Sequence, residues 1–168
     1  MNPLIRLGGW AALLGGALRV IATFIPYTPG SPALEAFYTV IDANLLLGLI
    51  GIYSLLADSI GRPGLTGFVV ASIGQGSIIG PDATQFGVDF YLAGSLTLLA
   101  GLTMLSTAMW QAKVMRPAAA SWLLATGLAG ASTMLGEGAA LAAGAALGMG
   151  FAWAGAAVLK QPLIAAAR

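Results

Sequence analysis

Three residues stand where hydrocarbon should reject them. Arg19 interrupts the apolar stretch 7–25, Asp42 the stretch 37–57, and Gln75 the stretch 65–80. Measured from the nearer end of each stretch by the helical rise, all three lie about 8–9 Å deep. Asn44, Ser132 and Thr133 fall close to that plane, with Asp89 and Glu137 slightly above it. A lone charge at the centre of a bilayer costs at least about 2.5–3.5 kcal/mol, so such groups should face the interior of a helical bundle and one another. Arg19 is the only cation inside a stretch, and its planar fork can bridge two carboxylates. The expectation is an Arg19–Asp42 ion pair, shared with Asp89 or Glu137. Such a pair is either a clamp holding the first two helices together or part of a ligand, proton or ion site.

Aromatic residues could wall that site. Tyr38 is one helical turn from Asp42, Tyr53 returns to nearly the same face further along, and Tyr91 lies next to Asp89 in space along the chain. Tyr38 and Tyr91 also suit an interfacial aromatic belt, as do Trp10, Trp110 and Trp122 at the opposite boundary. Asp89 and Glu137 each have a plainer role as negative charge at a helix N-terminus. Glu35 and Asp82 read as solvated loop residues.

Composition sets the frame around these residues. Of 168 residues, 58% are hydrophobic and 8% charged, against about 25% charged in soluble domains, so the chain is an integral membrane protein. The net charge of +1 excludes a basic nucleic-acid binder. With no His and no Cys, disulfides, His- or Cys-ligated haem, iron–sulfur sites, the usual zinc sets and Cys–His or Ser–His catalysis are excluded. No Lys lies at mid-depth for a retinal Schiff base, so no cofactor or metal is expected.

About 20 apolar residues make one crossing. That ruler gives six helices, 7–25, 37–57, 65–80, 88–110, 118–135 and 139–159, in one all-α domain over 1–168. Breaks fall at Tyr27-Thr28-Pro29-Gly30-Ser31-Pro32, Gly61-Arg62-Pro63-Gly64, Gly80-Pro81-Asp82, Arg116-Pro117 and Gly136-Glu137-Gly138. The result is three tandem hairpins, at 4–60, 64–115 and 117–161. Asp42, Asp89 and Glu137 recur at intervals of 47 and 48 residues, which suggests a repeated hairpin unit. Arg6, Arg62, Lys113, Arg116, Lys160 and Arg168 all fall on the side shared by both termini, and the opposite loops contain no Lys or Arg. By the positive-inside rule both termini face the cytoplasm, in a membrane of the bacterial inner type. Arg6 before an apolar run resembles a signal peptide, but Arg19 and the lack of a cleavage site favour a retained helix.

Packing must come from small residues, because lipid tails supply no hydrophobic drive between helices. Gly8, Ala12, Gly15 and Arg19 share one face, as do Gly67, Ala71 and Gln75, while Gly144 and Gly148 form a small-xxx-small pair. The preferred functional reading is a non-enzymatic module in the lipid bilayer, with a polar pocket on the extracytoplasmic side, binding a lipid, an apolar small molecule or a larger membrane complex. One alternative is a cation, proton or solute transporter or channel. Another is an isomerase or cyclase acting on an isoprenoid or lipid through a buried carboxyl group.

Overall fold

In a computed structural model, the described residues are 2–26, 28, 30–80, 84–85 and 87–161. Asp82, Arg168, Tyr27, Pro29, Pro81 and Pro162 therefore lie outside them. The chain is a helical membrane protein: α1 (Pro3–Ala22), α2 (Pro32–Ser77), α3 (Phe90–Gln111), α4 (Arg116–Leu135) and α5 (Glu137–Leu159) are all long and apolar enough to cross a bilayer. Local chemistry sets the helix starts. The Asn2 side chain accepts the Leu4 N–H and Pro3 opens α1, where its missing N–H costs nothing. Asp89 does the same for α3, accepting the Leu92 N–H at 2.9 Å. A two-residue β-hairpin, Thr84–Gln85 with Val88–Asp89, precedes α3 where the sequence suggested only a turn.

The largest departure from the expected layout is α2. Its 46 residues are continuous except at Gly61, whose φ of 54° and ψ of −155° are open essentially to glycine alone. Drawn straight, such a helix would run about 69 Å, roughly twice the hydrocarbon thickness of a bilayer. It does not run straight. Tyr53 stacks on Phe68 with ring centroids 4.2 Å apart, and Gln75 reaches Asp42, so the two arms on either side of Gly61 lie antiparallel. Pro63 sits in the first turn after the break, where no helical N–H is demanded of it.

Each element packs on the next, and α5 returns to α1 to close the ring. Glycines set the spacing of these seams. A Cβ at Gly8 would stand 2.5 Å from Gly51 Cα, and one at Gly48 would stand 2.7 Å from Ala12 Cα, so α1 and the first arm of α2 touch backbone to backbone. Gly16 meets Gly148 and Ala152, Gly155 meets Leu13, and Gly101 meets Ala71 in the same manner. Residue numbers rise on one side as they fall on the other where α1 meets the first arm of α2, where the second arm meets α3, and where α1 meets α5, so these neighbours are antiparallel. Arg6, Arg62, Lys113, Arg116 and Lys160 consequently gather at one end of the bundle, while Glu35, Asp42, Asp89 and Glu137 gather at the other.

Towards the basic end Leu49, Ile52, Leu102, Leu105, Trp122 and Phe151 are fully buried. Trp122 corrects the aromatic-belt expectation. Its indole lies inside the bundle against Phe151, at 5.0 Å between ring centroids, whereas Trp10 and Trp110 are about half exposed. The reason is volume: a Cβ at Gly150 would stand 2.5 Å from the indole, so the glycine leaves the space that the ring fills.

Candidate functional site

At the acidic end the ring opens around a cavity of about 630 Å³, lined from all five helices. Its floor is Leu45, Leu98 and Leu147, which belong to the buried core or its edge. One wall carries Asp42 and Gln75 from the two arms of α2. Gln75 is fully buried, and its Nε2 donates to Asp42 Oδ1 at 3.1 Å and to the Asp42 carbonyl at 3.3 Å. Asp42 is itself 9% exposed. Arg19 lines the cavity from α1, beside α5, where Gly144 leaves room for the guanidinium: a Cβ at 144 would stand 3.4 Å from Arg19 Nη2.

The predicted Arg19–Asp42 ion pair is not formed. No ion pair joins Arg19 to Asp42, and the side chain that donates to Asp42 is Gln75. Both side chains line one cavity, but they do not point at each other as expected. Gly8, Ala12 and Gly15 face α2, whereas Arg19 leaves α1 on the side of Gly16, towards Gly144. Asp42 leaves α2 towards its own second arm. The two charges therefore line the same cavity from different helices without pairing.

Arg19, Tyr38, Asp42, Gln75 and Tyr91 line the cavity; Asn44, Tyr53, Asp89 and Glu137 do not. Asn44 turns to α1 at Gly15 and donates to its own Val40 carbonyl at 2.8 Å. Tyr53 is on the expected face but too far along the helix, and is occupied by Phe68. Asp89 serves as the cap of α3, and Glu137 is an exposed residue in the first turn of α5, so the plainer reading describes both. Glu35 corrects its assignment as a solvated loop residue. It sits in the first turn of α2, half-buried, and lines the cavity. The signal was legible, since Glu35, Tyr38 and Asp42 follow the i, i+3, i+7 spacing of one helix face.

The remaining walls are mainly apolar, with Leu96 and Leu99 of α3, Ala125 and Ala129 of α4, and Ala140 and Ala143 of α5, relieved by Ser95 and Ser132. Below this level α3 and α4 are joined by the Thr103 and Thr126 hydroxyls, 3.2 Å apart. The arrangement is that of an amphipathic container, with charged groups at one side and hydrocarbon walls elsewhere. Among the described residues no three acids come together as a metal-ligand set. Comparison of the chain with protein-family models, curated proteins and solved structures gives no match.

Proposed function

We propose that this protein is a non-enzymatic binding module that holds an amphipathic small molecule or lipid in the cavity at its acidic end. The observation that supports this most directly is the cavity itself. About 630 Å³, mostly apolar, with a few converging polar groups, is the usual character of a ligand site. The break at Gly61 and the antiparallel arms of α2 support six crossings in three hairpins, not five. The gathering of basic residues at the end that holds α1's start and α5's finish supports cytoplasmic termini, in a membrane of the bacterial inner type. The cavity then opens on the extracytoplasmic side.

The buried apolar side chains beneath the cavity support a container over a conduit. A channel or transporter needs polar steps through the basic half, and that half is filled by Leu49, Ile52, Leu102, Leu105, Trp122 and Phe151. The test is native mass spectrometry of the protein released from its own membrane, comparing wild type with Ala129→Trp, which fills the cavity from α4. The expected result is a co-purifying amphiphile on the wild type that is lost from Ala129→Trp at unchanged folding. An equally occupied Ala129→Trp, or a wild type that is always empty, would overturn the assignment.

A further inference from the structure

The cavity is lined by one cation and two acids, and by one buried acceptor with nothing to accept. Arg19, Glu35 and Asp42 all line it, and no ion pair joins Arg19 to Asp42. Gln75, which is fully buried, spends its Nε2 on Asp42, while its Oε1 is left without any partner. A buried acceptor of this kind is costly unless something donates to it. A donor entering from the cavity would reach the Gln75 oxygen and the Asp42 carboxylate together.

Each simple class of head group leaves part of the site unanswered. A cation would satisfy the Asp42–Gln75 wall and leave Arg19 facing a second positive charge. An anion would satisfy Arg19 and place like charge before Asp42. We infer that the occupant has a zwitterionic head: a primary ammonium held by Asp42 and Gln75 Oε1, and an anionic group, such as a phosphodiester or carboxylate, held by Arg19.

The apolar part has an exit. Leu92 and Leu96 of α3 line the cavity and are 56% and 61% exposed, so they mark where it opens on the flank of the bundle. That opening lies at the level of the outer half of the bilayer, in the orientation proposed above, and it is where an acyl chain would leave. The inference rests on the binding-module reading and adds the chemistry of the ligand to it. The N–H donors of a primary ammonium are part of the claim, because a quaternary ammonium has no hydrogen to offer Gln75 Oε1.

The experiment reconstitutes the purified protein in nanodiscs of mixed phosphatidylethanolamine, phosphatidylcholine and phosphatidylglycerol, and reads the retained lipid by native mass spectrometry. Wild type is expected to keep phosphatidylethanolamine over the other two. Arg19→Gln and Asp42→Asn are each expected to weaken that retention roughly ten- to a hundred-fold, the loss of one charge-assisted contact. Selectivity on the wild type alone decides the matter if either variant fails to fold. Water-soluble glycerophosphoethanolamine is the second probe, and its competition with the lipid would identify the head group as sufficient and a soluble zwitterion as the source. Equal retention of phosphatidylcholine or phosphatidylglycerol, lost in Ala129→Trp, would overturn the zwitterion and leave the binding module. Retention of every lipid by wild type and Ala129→Trp alike would overturn both.

Discussion

Asp42 and Gln75 show how a carboxylate is tolerated inside a bundle of low charge. Asp42 gets its donor from an amide 33 residues away on the returning arm of the same helix, not from the available guanidinium. An amide partner leaves Arg19 free to face the cavity, so the choice of partner is what creates the site. Replacing Gln75 with Leu should leave a buried carboxylate without its donor and cost about 1.5–3 kcal/mol of stability. Gln75→Leu combined with Asp42→Leu should recover much of that loss, because removing both polar partners leaves nothing unsatisfied. Unfolding titrations in detergent micelles check both, and a Gln75→Leu protein as stable as wild type would remove the Asp42–Gln75 contact from the account. The sequence disclosed the shared depth of Arg19, Asp42 and Gln75, because depth follows from counting along a helix. It did not disclose which wall each residue joins. That depends on how α1 divides its small residues between two neighbours, Gly8, Ala12 and Gly15 towards α2 and Gly9 and Gly16 towards α5.

At the scale of elements, glycine has two separable roles in this chain. At Gly101 it permits contact: a Cβ there would fall on the backbone and Cβ of Ala71, so the second arm of α2 and α3 could not approach as closely. At Gly127, within α4, no atom stands within 4 Å of a Cβ and the glycine only loosens its helix. Gly101→Ala should therefore destabilise the protein by about 1–3 kcal/mol through overpacking. Gly127→Ala should be neutral or stabilising by about 0.5–1 kcal/mol through helix propensity. Paired thermal melts decide it, and equal responses at the two positions would contradict the packing scheme. The same contrast explains what was legible of the helices. Their existence followed from length and apolarity, and Pro32 and Asp89 marked two of their starts, whereas α1 begins at Pro3 and not at the expected residue 7. The antiparallel arms of α2 followed from Gly61 and Pro63, although the backbone stays helical on both sides of a single residue where a loop was expected. The β-hairpin at 84–89 gave no such signal, being two residues long on each side.

For the whole molecule, the decisive property is asymmetry between its ends. Arg6, Arg62, Lys113, Arg116 and Lys160, with Asp58 among them, lie towards one end; Glu35, Asp42, Asp89 and Glu137, a buried amide and the cavity with Arg19 lie towards the other. Charge sorting could be read from sequence because it depends on topology alone. The buried position of Trp122 could not, since it requires knowing that Gly150 and Phe151 come to lie against its ring. Because the chain has no Cys, one introduced thiol reports on one position without background. The most direct measurement is labelling of Ala129→Cys in sealed membrane vesicles of each orientation with a membrane-impermeant maleimide. Ala129→Cys should react from the acidic end alone and be protected by bound amphiphile. Reaction from the basic end, or from neither, would contradict a cavity that is open on one side and closed on the other.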